Sequence, residues 1–250
     1  MLRVGAGVGS ALLRVSDQHD LLRRASAEAV GTAFLVAAVV GSGIAAQRLS
    51  PGDVGVQLLE NAVATGAVLV ALILALGSIS GAHFNPIVTL ADRILGGMTT
   101  REASTYIAAQ VAGGCLGTIV ANLMFDLPAV TWSTHDRSSS GVLLGELVAA
   151  FGLLIVILGV VRAGRAQMAA FAVAGYITAA YWFTSSTSFA NPAVTIARCL
   201  TDTFAGIEPA DVPAFIALQV VGALAAIAVF RYWRPNLDAK DFVVPHEQSY

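Results

Sequence analysis

The chain has 250 residues, 56% of them hydrophobic and 12% charged, with a formal net charge of -2. Soluble domains carry about 25% charged residues, so a soluble α/β protein is a poor reading and an integral membrane protein is expected. The slightly acidic balance gives no electrostatic footprint for a nucleic-acid partner.

Residues 1–24 are mixed and include Arg3, Arg14, Arg23 and Arg24, which predicts a cytoplasmic tail with some amphipathic helix over 12–22. No compact basic-then-apolar run ends in a cleavage site there, so no cleaved signal peptide is expected. Six apolar runs follow, at 27–46, 58–76, 103–123, 141–161, 168–183 and 212–230. Each suits a transmembrane helix, with tilt where it is long and slight bilayer thinning where it is short. Barrel strands would alternate polar and apolar residues, and these runs do not. Residues 125–140 form a linker and 231–250 a second cytoplasmic tail. Cys115 and Cys199 lie in different segments, form no metal or redox motif, and read as packing residues.

Two shorter apolar stretches interrupt the pattern. The first runs from Ser80 through His83, Phe84, Asn85, Pro86, Ile87, Val88 and Thr89 to Asp92; the second runs from Ser188 through Phe189, Asn191, Pro192, Ala193, Val194 and Thr195 to Arg198. Asn followed by Pro is a helix start, with Asn as N-cap and Pro at the first helical position. Each stretch therefore predicts a loop turning into a half-length helix. The order long–long–short–long occurs twice, and Glu28, Asn85 and Gln110 have counterparts in Glu146, Asn191 and Gln219. Three spans per half require inverted halves, with the site at their interface near the bilayer midplane. The fold expected is all-α and integral to the membrane: six transmembrane helices plus two re-entrant half-helices, a channel domain over 25–230 with repeats at 25–124 and 141–230. Small residues such as Gly31, Gly113, Gly117, Gly145 and Gly222 lie where helices should cross closely. All basic residues except Arg48, Arg137 and Arg198 fall on the side of the termini, which predicts that both termini are cytoplasmic.

Asn85 and Asn191 should meet near the midplane, where two helix starts of about +0.5 e each oppose cations and leave neutral hydroxylated solutes free. The extended residues before each Asn have carbonyls without helical partners, tolerable in lipid only if they line a watery cavity. His83 reads as fixing its loop by a hydrogen bond, with solute contact as the alternative. Glu28 and Glu146 are carboxylates inside apolar runs, so they are functional or paired. No Ser-His-Asp set, phosphate loop or metal cluster stands out; no enzyme activity, cofactor or metal is expected.

The paired motifs resemble those of the aquaporin and glycerol-facilitator family, the major intrinsic proteins. The second reads Asn191-Pro192-Ala193 as in the family, and the first departs from it at Ile87. The resemblance implies that Glu28 and Glu146 brace the pore loops through backbone N–H groups. It also implies a homotetramer with a pore in each subunit. In the family an Arg of the selectivity filter follows the second Asn-Pro-Ala, and here that place is Val194. Carried over by offset from each Asn, the other filter positions are Thr65, Ala179 and Ser188, which implies a wide, weakly polar filter. Arg198 lies on the same helix face as Val194, about 6 Å further out. It either returns a cation to the vestibule or is a solvated or headgroup-bound arginine. Val194 within this string resembles a bacterial subfamily associated with arsenic-resistance systems. The function implied is passive passage of small neutral solutes across the inner membrane: glycerol-like polyols, metalloid hydroxides such as arsenite, and water. The alternatives are a channel that also passes arsenic oxyanions or organoarsenicals, a proton-coupled secondary transporter, and a non-conducting scaffold.

Overall fold

A computed structural model describes the backbone of residues 6–233 and the side chains of residues 19–233. The expected C-terminal tail beyond residue 233, and the side chains of most of the expected N-terminal tail, lie outside the described residues. The elements are α1 (Ala6–Leu49), α2 (Val54–Ser80), α3 (Pro86–Leu95), α4 (Thr100–Met124), α5 (Ser140–Arg162), a 3₁₀ turn (Ala166–Met168), α6 (Ala169–Phe183), α7 (Pro192–Arg198) and α8 (Val212–Trp233). The sequence explains several boundaries. Asp53 and Ser139 accept from the backbone N–H groups of Val56 and Val142, and Thr99 with Glu102 forms a reciprocal capping box. Gly81 (φ 85°) and Gly96 (φ 91°) end α2 and α3 in the left-handed conformation.

Two element lengths refine the expectations. α1 runs unbroken from Ala6, so no break separates the expected tail from the first span. Among the described residues five helices are long and apolar enough to cross a membrane: His19–Leu49, Val54–Ser80, Thr100–Met124, Ser140–Arg162 and Val212–Trp233. The sixth expected span, α6, has 15 residues, roughly 22 Å of helix. The 3₁₀ turn precedes it, and a bend, a turn and four irregular residues, together 184–190, lead from it to Asn191.

The halves pack alike. α1 lies on α4 and α2, α5 lies on α8 and α6, and α2 meets α6 across the halves. The closest approaches repeat as well. A Cβ at Gly113 would overlap the Ala29 carbonyl oxygen, and one at the equivalent Gly222 would overlap the Leu147 carbonyl oxygen. Only glycine lets these backbones approach so closely in lipid, where packing rather than hydrophobicity holds helices together. The linker is tied down too. Thr131 and Ser133 N–H groups donate to the carbonyls of Leu200 and Cys199, each at 3.0 Å. Asp202 accepts from the backbone N–H and hydroxyl of Thr134 (2.9 and 3.1 Å). Those bonds hold its carboxyl below the usual carboxylate range.

Gly113→Ala is expected to destabilise the fold by about 1–3 kcal/mol through overpacking. Gly159→Ala, with open space around the new methyl, should be neutral. Thermal melting of the purified protein in detergent compares them, and equal melting temperatures would refute the close-approach argument.

Candidate permeation site

The polar groups that build the site lie where the two loops meet. Asn85 caps α3: its side-chain oxygen accepts from the Ile87 N–H at 3.1 Å. Asn191 caps α7, accepting from the N–H groups of Ala193 (3.0 Å) and Val194 (3.3 Å). Their side-chain nitrogens cross. Asn85 Nδ2 donates to the Ala190 carbonyl and Asn191 Nδ2 to the Phe84 carbonyl, both at 2.8 Å. An amide nitrogen carries two N–H donors, so each Asn keeps one beyond the cross-bond. Two of the carbonyls expected to face solute, those of Phe84 and Ala190, are engaged by these amides instead.

The loops are strained at matching places. Ala82 and Phe84, three and one residues before Asn85, have φ of 49° and 47°; Ser188 and Ala190, at the same offsets from Asn191, have φ of 51° and 46°. Left-handed non-glycine residues cost about 1–3 kcal/mol each and persist only where the surroundings dictate them. Two buried carboxylates do that. Glu28 accepts from the N–H groups of His83 (3.0 Å) and Phe84 (2.7 Å) and from the Ser80 hydroxyl (2.6 Å). Glu146 accepts from the N–H groups of Phe189 and Ala190, both at 2.9 Å. Gln110 Nε2 donates to Glu28 (2.7 Å) and Thr89 (2.9 Å), and Gln219 Nε2 does the same to Glu146 (2.5 Å) and Thr195 (2.9 Å). His83 Nδ1 is 3.1 Å from the Thr89 hydroxyl, and its ring meets Tyr106 edge-on at 5.6 Å.

A cavity runs past both Asn residues. Its apolar walls are four-residue stripes: Leu35 and Val39 of α1; Thr65, Leu69 and Ile73 of α2; Leu153, Ile157 and Val161 of α5; and Ala169, Val173, Ile177 and Tyr181 of α6. The other wall is made by residues 81–85 and 188–191, with Val88, Val194 and Arg198. Thr65, His83, Ser188, Val194 and Arg198 are therefore brought together along one cavity. The Ser188 hydroxyl is buried and has no protein partner.

Ala179 is not among them. It is exposed on the outer face of α6, and Tyr181 takes its place, its hydroxyl 3.1 Å from that of Thr65. Two residues along a helix turn the side chain by roughly 200°. The offset assumes a fixed spacing between helix and motif: α6 ends eight residues before Asn191, and the side chain facing the cavity lies ten residues before it rather than twelve. The cavity thus has an aromatic side chain at the level where only small ones were expected. The i, i+4 stripe through Val173 and Ile177 carries the signal for Tyr181. Arg198 is not solvated: it is 1% exposed, donates through Nε to the Ala205 carbonyl, and lies over the Phe189 ring. Sequence reasoning left Arg137 as a linker residue. Its Nε donates to the Gly206 carbonyl at 2.8 Å, and its guanidinium also faces Phe189.

An all-helical membrane fold with two capped half-helices meeting head to head along a cavity defines a channel-type protein. The sequence pattern of the family described as Major intrinsic protein matches residues 15–178 and 161–250, and the chain belongs to that family, whose members are channels and not enzymes. It is similar to the aquaglyceroporin AqpS of Rhizobium meliloti, with 51% identity over 216 residues that cover 86% of this chain and 92% of that protein. It is 32% identical over 240 residues to the probable aquaporin AqpM of Archaeoglobus fulgidus, covering 85% of this chain and 97% of that protein. The fold matches the X-ray structure of the aquaglyceroporin from Plasmodium falciparum with a TM-score of 0.68 at 20% identity, over 87% of this chain and 98% of that one.

Glu146→Gln keeps the size of the side chain but sets an NH₂ group where two loop N–H donors need acceptors. Leaving a buried donor unsatisfied costs about 1–3 kcal/mol, so the yield of monodisperse protein and its melting temperature should fall. A variant as stable as the parent would show that the carboxylate does not hold the loop.

Proposed function

We propose that the protein is a passive channel for small neutral solutes: glycerol-like polyols, metalloid hydroxides such as arsenite, and water. The observation that carries this reading is the crossed pair Asn85–Ala190 and Asn191–Phe84 beside the cavity. It leaves one amide N–H per Asn for a solute oxygen, next to two helix starts whose partial positive charge disfavours cations. The filter of this reading comprises Thr65, Tyr181, Ser188 and Val194. Val194 lacks the donors of a filter arginine, and aliphatic stripes form the facing wall, which suits a solute with hydroxyls on one side and a less polar back. The proposal includes a homotetramer with a pore in each subunit, placed in the inner membrane with both termini cytoplasmic.

A proton-coupled transporter would need a carboxylate in the pathway. Glu28 and Glu146 are outside the cavity lining, and their oxygens are occupied by loop N–H groups and a glutamine. That occupancy supports the passive reading.

Proteoliposome swelling tests it. Glycerol and arsenite should enter without saturation and without response to a proton gradient; uptake that saturates and follows the gradient overturns the channel. Val194→Arg narrows the cavity and adds donors without acceptors. It should lower the ratio of glycerol to water permeability by about tenfold, a barrier change of about 1.4 kcal/mol. If the ratio stays at the parent's value, also with Arg198→Ala added to remove repulsion four residues away, position 194 is outside the constriction.

A further inference from the structure

Each half carries a charged residue seven positions after its Asn: Asp92 after Asn85, and Arg198 after Asn191. Each turns back onto the residue two positions before that Asn. Asp92 Oδ2 lies 3.9 Å from His83 Nε2, and the Arg198 guanidinium carbon lies 3.4 Å from the centre of the Phe189 ring. The repeat of this contact in both halves means that the fold itself aims position seven at the pore loop.

Phe189 makes a favourable seat for a guanidinium through the electron-rich face of its ring. The ring also faces Arg137, whose guanidinium carbon is 5.0 Å from its centre. The two arginines differ in how they are used. Arg137 donates to the carbonyls of Gly206, Ser186 and Phe204, and its backbone N–H binds Asp211. It clamps the loops that close this end of the cavity. Arg198 donates only through Nε, to Ala205, among the hydrogen bonds of the described residues. None of the ion pairs among those residues includes it, and it lines the cavity. An arginine stays protonated, so a full positive charge stands at the cavity wall, whereas each half-helix start offers about half of one.

We infer that Arg198 is the specificity-determining residue for charge. From one helical turn beyond Val194 it supplies the fixed cation that Val194 does not, and it keeps monovalent cations out while neutral solutes pass. The inference rests on the channel reading above. The position differs from that of the filter arginine, and so does the consequence. An arginine held against Phe189 guards the mouth by its field, leaving the cross-section beside Val194 open to larger neutral solutes.

The test measures K⁺ and Na⁺ flux and glycerol swelling in the same proteoliposomes, for the parent, Arg198→Lys, Arg198→Gln and Arg198→Met. Removing a unit charge beside a pore of intermediate dielectric should raise cation flux by roughly tenfold or more. The parent and the lysine variant should stay tight, and the glutamine and methionine variants should leak cations while glycerol still enters. Two unlike neutral replacements are used so that misfolding of one leaves the other to decide. Neutral variants as tight as the parent overturn the inference, and so does a lysine variant that leaks as they do. A parent that admits no glycerol fails the channel reading instead, and the cation comparison is read separately from it.

Discussion

Backbone N–H groups that leave a helix inside a membrane have no water to bind. In this protein two fully buried carboxylates, Glu28 and Glu146, receive them. Everything at the centre follows from that constraint. Because the N–H groups of the two residues before each Asn are held by a carboxylate, the chain is forced through left-handed residues at Phe84 and Ala190. That path delivers each Asn to the start of its half-helix with its amide directed at the opposite loop. The carboxylates are in turn held by Gln110 and Gln219, which also bind Thr89 and Thr195 on the half-helices. One polar network per half thus ties two long helices, a loop and a half-helix together. Such a network specifies one geometry because every alternative leaves a polar group unsatisfied in an apolar surrounding.

The cavity combines two kinds of wall for the same reason. The long helices present aliphatic side chains at every fourth residue, since any polar group on a helix face there would need a partner. The loops present what helices hide: backbone, an amide and the Ser188 hydroxyl. A solute crossing the proposed pore exchanges water for partners on one side only. A neutral molecule with a few hydroxyls tolerates that exchange better than an ion, which needs its whole hydration shell replaced.

Much of this was legible in the sequence because polar residues are rare in it. Asn-Pro twice, and Glu with Gln inside apolar runs, are conspicuous where almost everything else is aliphatic. Their matching offsets show the repeat and Asn-Pro the half-helices, while the loop-bracing role of the two glutamates comes from the family resemblance. Gln110 and Gln219 stand out in the sequence only as a matched pair; their task as the links between carboxylate and half-helix depends on side-chain contacts that spacing does not show. The filter offset misplaces one residue, since counting back from Asn191 assumes a fixed spacing between helix and motif, and the residue facing the cavity lies ten positions before that Asn rather than twelve. Helix facing is unforgiving to such counting: Ala179 and Tyr181 are near neighbours in sequence and lie on opposite sides of α6. The seat of Arg198 was not legible, because it depends on Phe189 and on the loop around Ala205, which sequence distance does not bring together.

The crossed amides also bear on how the protein is made. Asn191 and Phe84 are separated by 107 positions in the chain. At roughly 5–20 residues per second of synthesis, the first loop waits on the order of 5–20 s for the group that completes it. Throughout that interval the Phe84 carbonyl and the Asn85 amide lack their partners, and lipid offers no substitute. The first half-helix therefore cannot settle at depth in the bilayer when its own half has emerged. It has to remain in a wet or protein-lined place until the second half arrives, so the step that assembles this pore is the docking of two unfinished halves.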